Sequence, residues 1–178
     1  MTALTRRGIL AGAGALLLRP TAGWADAPSA AALARPTEPP RDGSALKITE
    51  ADGTLRRLSD WAGAVVLLNF WGPWCVPCQK EMPSIARMAE RVSGAGLVVL
   101  PLAFDWRGPN SVRRFYKDNG ITGLPVLMGD GENLKQVLDT ELLPSSMVIG
   151  RNGQSLSVIE GEATWDDDAT VTWLLGLL

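Results

Sequence analysis

The stretch Trp74-Cys75-Val76-Pro77-Cys78 contains both cysteines of this 178-residue chain, and the rest of the sequence is organised around it. An apolar run at residues 65–70 precedes it, and a helix-like pattern covers residues 76–92. A Cys-x-x-Cys pair between a strand and a helix is typical of thiol–disulfide redox centres. The stretch therefore predicts redox chemistry at a strand-to-helix turn.

The two thiols are expected to have different roles because they lie at different depths in the predicted helix. Cys75 would lie at the helix N-terminus, where the macrodipole and free backbone N–H groups favour a thiolate. Cys78 would lie one turn further on, where it can attack a mixed disulfide and release the partner. The pattern predicts a redox-active Cys75–Cys78 disulfide that works without a separate cofactor.

Other uses of two cysteines fit the sequence less well. A purely structural disulfide between them would close a very small loop, and short loops constrain the unfolded chain least. A structural zinc site needs about four ligands, usually Cys and His, whereas this chain has two cysteines and no histidine. Two buried, inert thiols remain an alternative to the redox pair.

Composition narrows the remaining functions. A hydrophobic fraction of 46% is enough for a folded core, and the formal net charge is −2. No block rich in lysine or arginine occurs beyond the extreme N-terminus, so nucleic acid is not an expected partner. The lack of histidine also excludes Ser–His and Cys–His catalysis.

Residues 1–25 have the pattern of an export signal. Arg6 and Arg7 form a basic start, and residues 9–18 form an apolar core too short to span a bilayer comfortably. Small residues before the bond after Ala25 favour cleavage there. The paired arginines predict the twin-arginine route to the periplasm, with an ordinary Sec signal or a retained membrane anchor as alternatives.

The mature chain is predicted to have two parts. Residues 26–43 are rich in alanine and proline and lack periodic apolar positions, which indicates a flexible or polyproline-like arm. Residues 44–178 then form one domain, which begins with a hairpin at residues 45–58 around Asp52-Gly53.

Strands and helices alternate in the first part of this domain, and its last part is a hairpin followed by a helix. This βαβα…ββα order predicts a mixed sheet covered by helices on both faces. The predicted strands are residues 65–70, 97–104, 125–128, 147–149 and 156–159, and the predicted helices are residues 76–92, 110–119, 133–138 and 166–178.

Two blocks of sequence resemble the thioredoxin fold, and most closely its exported TlpA/ResA-like branch. They are Leu68-Asn69-Phe70-Trp71-Gly72-Pro73-Trp74-Cys75-Val76-Pro77-Cys78-Gln79-Lys80-Glu81-Met82-Pro83 and Leu143-Pro144-Ser145-Ser146-Met147-Val148-Ile149. The resemblance covers roughly residues 44–178 and implies an α/β thioredoxin fold: a central mixed sheet flanked by helices, with the N-terminal hairpin as an extension.

The resemblance implies roles around the disulfide. Cys75 would be the exposed nucleophile and Cys78 the resolving thiol. Pro144 would be a cis-proline facing both cysteines, so that the backbone of Leu143 points outward and can pair with an extended substrate segment. Val76 and Leu143 depart from the residues common at these positions, which leaves the exact pathway open.

It also implies roles for the residues behind the disulfide. Asn69 would replace the buried aspartate of cytoplasmic thioredoxins, and Glu81, three residues after Cys78, would then manage the proton of the resolving thiol. A surface helix carboxylate is the alternative for Glu81. Trp74 is expected to shield the disulfide and contact partners, and Trp71 to point into the core.

The predicted function is that of an exported, monomeric thiol–disulfide oxidoreductase that reduces disulfides in partner proteins. The resemblance implies partners in cytochrome c maturation, such as an apocytochrome c, or in copper-site assembly of a respiratory oxidase. It also implies re-reduction by a membrane thiol transporter. There are two alternatives. One is a disulfide oxidase or isomerase, and the other is a copper-binding chaperone that would hold copper with the same two thiols, since the chain has no histidine.

Overall fold

The computed structural model describes residues 27–178, which form an eight-stranded sheet with helices on both faces. The predicted export signal at residues 1–25 lies outside the described residues. The strands are β1 Arg35–Pro36, β2 Lys47–Glu50, β3 Leu55–Arg57, β4 Val65–Trp71, β5 Leu97–Ala103, β6 Leu127–Gly129, β7 Ser145–Ile149 and β8 Ser155–Glu160. The helices are α1 Ala30–Leu33, α2 Val76–Arg91, α3 Pro109–Asp118, α4 Gly131–Leu138 and α5 Asp168–Leu175.

The sheet is mixed, as the element order predicts. The strands lie in the order β1-β8-β7-β4-β5-β6-β2-β3. Strand β4 pairs parallel with β5 and antiparallel with β7, and β5 pairs parallel with β6. The hairpin of β2 and β3 continues the sheet beyond β6. The predicted thioredoxin-like architecture is therefore confirmed.

Strand β4 is buried along its whole length because its sequence, Val-Val-Leu-Leu-Asn-Phe-Trp, is apolar on both faces but for one residue. Side chains that alternate along the strand pack into two separate cores. Val65, Leu67 and Trp71 face the core that contains α2 and α5. Val66, Leu68 and Phe70 face the core that contains β2 and α4. The polar exception is Asn69.

Helix α2 begins directly after the first cysteine. Cys75 is its N-cap, and Pro77 lies in the first turn, where the missing backbone N–H costs no hydrogen bond. Its buried stripe includes Met82, Ile85 and Met88, which are fully covered by the sheet. This packing fixes the redox stretch at the junction of β4 and α2.

The prediction of a flexible arm at residues 26–43 is wrong for the part that the structure describes. Residues 30–33 form the short helix α1, and Ala30 is completely buried. Strand β1 then pairs antiparallel with β8. Proline content misled the prediction because this segment is held by long-range contacts, including a hydrogen bond from the Ala30 amide to the Thr164 carbonyl at 2.9 Å.

Between residues 27 and 178, no helix is both long and apolar enough to cross a membrane. The two outermost strands of the sheet are short. Strand β1 has two residues, Arg35 and Pro36, and strand β3 has three, Leu55-Arg56-Arg57, all of them exposed.

Candidate active site

The topology brings the predicted site residues to one end of the sheet. The last residue of β4, Trp71, pairs with the last residue of β5, Ala103. The first residue of β7, Ser145, pairs with Phe70 of β4, because these two strands run in opposite directions. The redox stretch after β4 and the Leu143–Pro144 segment before β7 therefore leave the sheet at the same end.

Cys75 and Cys78 form a disulfide with an S–S distance of 2.07 Å. The Cys78 amide donates to Sγ of Cys75 at 3.4 Å, so the first sulfur caps helix α2. Cys75 is 6% exposed and Cys78 is fully buried. Cys75 is thus less exposed than expected for an exposed nucleophile, although it alone of the pair reaches solvent.

Glu81 is a buried carboxylate, with 3% of its surface exposed. Its Oε1 accepts a hydrogen bond from Nδ2 of Asn69 at 3.0 Å, and its Oε2 accepts one from the Ala163 amide at 3.2 Å. The indole Nε1 of Trp165 also donates to Oε2, at 3.4 Å. The alternative of a surface helix carboxylate is therefore wrong, because the segment around residues 163–165 covers this face of α2.

Burial raises the pKa of Glu81 from 4.5 to about 7, because water no longer solvates the charged form. The three donors act in the opposite direction, since they stabilise the carboxylate, but they do not offset the loss of hydration. A carboxyl with a pKa near neutral pH can both accept and release a proton under ordinary conditions. It lies one helical turn after Cys78.

Asn69 connects the central strand to this carboxylate. It is fully buried, and its Nδ2 donates both to Glu81 and to Oγ of Ser146 on β7, each at 3.0 Å. Its Oδ1 has no hydrogen-bond partner. An unpaired buried acceptor is costly in a folded protein, and such groups cluster at functional sites. Asn69 thus links strand β4 both to helix α2 and to strand β7.

The two tryptophans of the redox stretch point in different directions. Trp71 is fully buried and stacks on Tyr116, with ring centroids 5.8 Å apart, as expected for a core residue. Trp74 is 56% exposed, and its Nε1 donates to the Phe104 carbonyl at 2.8 Å. Gly72 permits this position, because a Cβ atom there would lie 2.8 Å from the indole nitrogen of Trp74.

The Leu143–Pro144 peptide bond is cis, as the resemblance implies. The Pro144 carbonyl accepts a hydrogen bond from the Gly161 amide at 3.0 Å, and the hydroxyl of Ser145 donates to the Leu142 carbonyl at 2.8 Å. These bonds fix the turn that precedes β7. Pro144 therefore lies at the end of the sheet that carries the disulfide.

Three parts of the site were missed in the sequence. Ser146 follows Pro144 by two residues, and its hydroxyl accepts a hydrogen bond from Asn69. Ala163 and Trp165 bind Glu81 from more than 80 residues away in the sequence. No local pattern marks them, because only the packing of residues 163–165 on α2 creates the contact. Ser84 supports this segment by accepting from the Trp165 amide at 3.2 Å.

Within residues 27–178, no group of three or more His, Cys, Asp or Glu side chains is arranged to hold a metal ion.

Comparison with known families gives a match over most of the domain. Residues 42–154 match the model of the AhpC/TSA family. Over 121 residues the chain is 32% identical to the thiol-disulfide oxidoreductase ResA of Geobacillus kaustophilus, which covers 67% of this chain and 68% of the relative. ResA of Bacillus thuringiensis subsp. konkukian is 32% identical over 117 residues, or 66% of each chain. The chain thus spans about two thirds of the length of these curated relatives.

Solved structures share the fold. A thiol:disulfide interchange protein of the thioredoxin family from Chlorobium tepidum superposes with a TM-score of 0.59 at 24% identity, over 77% of this chain and 97% of that one. A DsbF homologue from Corynebacterium diphtheriae superposes with a TM-score of 0.62 at 20% identity, over 80% and 92% of the two chains. At these identities the similarity concerns the fold.

Proposed function

Since the chain belongs to the AhpC/TSA family and, within it, to the ResA-like thiol–disulfide oxidoreductases, we propose that it reduces disulfide bonds in exported partner proteins. One observation carries this proposal: the Cys75–Cys78 disulfide caps helix α2, and the buried carboxyl of Glu81 lies one turn behind it. The disulfide is the product of the proposed reaction. The reduced dithiol is its starting state.

In the first step the thiolate of Cys75 attacks one sulfur of a partner disulfide. A bond forms between Cys75 and that sulfur, the partner S–S bond breaks, and the partner's other sulfur leaves as a thiolate. The N-terminus of α2 favours the Cys75 thiolate electrostatically, because the free backbone N–H groups point toward it. Cys75 is assigned this role because it alone of the pair reaches solvent.

In the second step Cys78 resolves the mixed disulfide. Its thiol loses a proton to the Glu81 carboxylate, and the resulting thiolate attacks Sγ of Cys75. The Cys75–Cys78 disulfide forms, and the partner's second sulfur leaves as a thiolate. Two electrons have then passed to the partner, whose two thiolates take up protons from water, and Glu81 releases to solvent the proton that it took from Cys78.

The transfer of a proton from Cys78 explains why a carboxyl with a pKa of about 7 suits this site. A fully buried thiol such as Cys78 ionises reluctantly, because no water stabilises its thiolate. A nearby base whose pKa is close to neutral can take the proton without holding it permanently. Asn69, Ala163 and Trp165 hold the carboxyl in position during this exchange.

The resemblance to the TlpA/ResA-like branch supports a more specific proposal for partners and location. The partner would be an apocytochrome c or a copper-site protein of a respiratory oxidase, and a membrane thiol transporter would return the electrons. The chain would act in the periplasm after export. Replacement of both Arg6 and Arg7 by lysine tests the export route: a twin-arginine signal should lose export, whereas a Sec signal should keep it.

The reduction potential of residues 26–178, measured by equilibration with a dithiol buffer, tests the direction of electron flow. A value at or below about −250 mV, near that of thioredoxin, supports donation of electrons to partners. A value above roughly −150 mV, near that of DsbA, would make the protein an oxidant and overturn the proposal.

A further inference from the structure

The segment that covers Glu81 consists of residues 163–165, and it is bound on two sides. The amides of its first and last residues face α2, where they donate to Oε2 of Glu81 and to Oγ of Ser84, each at 3.2 Å. The residue between them is Thr164. Because successive residues of an extended segment face opposite sides, the peptide groups of Thr164 are free to bind another part of the chain.

That other part is the N-terminal segment, residues 27–30. The Thr164 amide donates to the Pro28 carbonyl at 2.8 Å, and the Ala30 amide donates to the Thr164 carbonyl at 2.9 Å, which forms a parallel β-bridge. The Thr164 hydroxyl donates to the Ala27 carbonyl at 2.9 Å. The amide, the carbonyl and the hydroxyl of Thr164 are thus all bound by the N-terminal segment.

The N-terminal segment has its own anchor on helix α5. Oγ of Ser29 donates to Oδ1 of Asp167 at 3.0 Å and lies 2.9 Å from Oγ1 of Thr170. Asp167 is the N-cap of α5, and its side chain accepts from the Thr170 amide at 3.0 Å. Ala30 is completely buried. The segment is therefore fixed to the core by contacts other than those with the covering segment.

Ion pairs that flank the covering segment also join it to α2, but they lie at the surface. Lys80 pairs with Glu162 at 3.6 Å and Arg87 with Asp166 at 2.6 Å, and more than half of each basic side chain is exposed. Exposed ion pairs contribute little to stability, because water screens them. The side chain of Ala163 is a single methyl group, so the position of its amide depends on the buried hydrogen bonds of the next residue.

We propose that the N-terminal segment is a positioning element of the redox site, which holds the covering segment against Glu81 and keeps water away from the carboxyl group that serves Cys78. Its effect passes through Thr164 to the amide of Ala163 and the indole of Trp165, both of which donate to Glu81. The role of Glu81 toward Cys78 rests on the proposed function, whereas the placement of the carboxyl can be measured without it.

Loosening the covering segment would have two opposite effects on the pKa of Glu81. Loss of the donors on Ala163 and Trp165 would raise the pKa, and entry of water would lower it. Burial is the largest cause of the raised pKa, so entry of water should dominate, and the pKa should fall from about 7 toward 4.5. Asn69, which faces the carboxyl from the sheet, has no charge, and the Glu162 carboxylate acts in the same direction as burial.

The variant Ala30→Pro separates the N-terminal segment from Thr164. Proline has no amide hydrogen, and its ring would place a carbon atom where that hydrogen meets the Thr164 carbonyl. Helix α1 itself accepts the change, because Ala30 is its first residue and Ser29 has a ψ of 138°, which suits the residue before a proline. Gly131→Pro, at the first position of α4, is the matched control.

The pKa of Glu81 is read by NMR from its carboxyl resonance in the oxidised protein, residues 26–178. We expect Ala30→Pro to lower this pKa by at least about one unit relative to the wild type, and Gly131→Pro to leave it unchanged. A pKa that is unchanged or raised in Ala30→Pro would overturn the inference.

A milder pair of variants decides the question if Ala30→Pro does not fold. Thr164→Val keeps the shape of the side chain but removes the hydroxyl that donates to Ala27, so the pKa of Glu81 should fall by a smaller amount. Thr164→Ser keeps the hydroxyl and should keep the wild-type pKa. Equal pKa values in these two variants would then overturn the inference.

The pH–rate profile of mixed-disulfide resolution separates this inference from the proposed function. In Ala30→Pro the step near pH 7 should move to lower pH together with the pKa of Glu81. If the pKa falls but the step stays, the N-terminal segment positions the carboxyl, and the proton transfer from Cys78 to Glu81 is excluded. If the wild-type protein reduces no partner disulfide, the proposed function fails, and the NMR result still decides the inference.

Discussion

Nδ2 of Asn69 donates a hydrogen bond to Oε1 of Glu81 at 3.0 Å, and this bond joins the central strand β4 to helix α2. Both residues are buried, and the same nitrogen also binds Ser146 on β7. The carboxyl behind Cys78 is therefore held by the sheet as well as by its own helix. The orientation of this carboxyl therefore does not depend on the redox stretch alone.

Replacement of Cys78 by serine should trap mixed disulfides between Cys75 and partner proteins. The serine hydroxyl cannot attack the mixed disulfide, so the second step of exchange stops. Non-reducing electrophoresis of the exported variant, followed by mass spectrometry of the adducts, is the measurement. The variant Cys75→Ser is the matched control and should give few adducts, and equal trapping by both variants would contradict the assigned roles.

Glu81→Gln should slow resolution of the mixed disulfide and remove a step near pH 7 from its pH–rate profile. The carboxylate that accepts the proton of Cys78 is present above a pKa of about 7 and is lost below it. Stopped-flow measurement of Cys75–Cys78 disulfide formation at several pH values tests this. The control is Glu90→Gln, an exposed carboxylate later on the same helix, and an unchanged profile in Glu81→Gln would exclude the proton transfer.

The same carboxyl should make the oxidised protein less stable as the pH rises. Its pKa is raised by burial from 4.5 to about 7, so the folded state binds the proton more tightly than the unfolded state. Its stabilising effect is complete below about pH 4.5 and is lost as the pH rises through about 7, a difference of roughly 3 kcal/mol in the free energy of unfolding.

Urea unfolding of the oxidised wild type and of Glu81→Gln, from pH 4 to pH 9, measures this effect. The variant lacks the titrating group, so the difference in unfolding free energy between the two proteins should change in favour of the variant as the pH rises. A difference that stays constant with pH would show that Glu81 titrates near its ordinary value in the folded state.

Trp165→Phe should raise the pKa of Glu81 further, by less than about one unit. The substitution keeps an aromatic ring in the core but removes the indole N–H that donates to Oε2. The carboxyl resonance of Glu81, followed by NMR as the pH changes, reports its pKa directly. Trp173→Phe, on the partly buried face of α5, is the control and should leave that pKa unchanged. A shift to lower pKa in Trp165→Phe would contradict the role of the indole.

Gly72→Ala should displace Trp74 from the Phe104 carbonyl. The new Cβ atom would lie 2.8 Å from the indole nitrogen and 3.1 Å from that carbonyl oxygen, which is too close for both to stay. Loss of the hydrogen-bonded indole N–H resonance of Trp74 in the NMR spectrum is the expected sign. Gly131→Ala, whose Cβ would meet only a phenylalanine carbon at 3.9 Å, should keep this resonance.

The sequence alone predicts the centre of the fold well, because the information there is local. The buried run of β4, the helix-capping Cys75 and the apolar stripe of α2 all lie within residues 65–91, and their patterns agree with one another. The resemblance to the TlpA/ResA-like branch singled out Asn69 and Glu81, and in the structure Asn69 Nδ2 and Glu81 Oε1 lie 3.0 Å apart.

What the sequence did not predict depends on contacts between distant segments. The burial of Glu81 follows from Trp165 and Ala163, which no spacing rule connects to α2. Likewise residues 27–36 have the composition of a linker, but their backbone groups pair with Thr164 and with β8. Local propensity cannot reveal such partners, since the pairing is decided by where the sheet places them.

The two edge strands of the sheet, β1 and β3, affect how readily the chain self-associates. An unpaired strand edge can template the addition of another chain, and short, charged or proline-containing edge strands prevent this. Here one edge is β1, which is only two residues long and contains Pro36, and the other is β3, which presents Arg56 and Arg57. Neither edge offers a long, flat row of free backbone groups. The chain is thus protected against edge-to-edge aggregation.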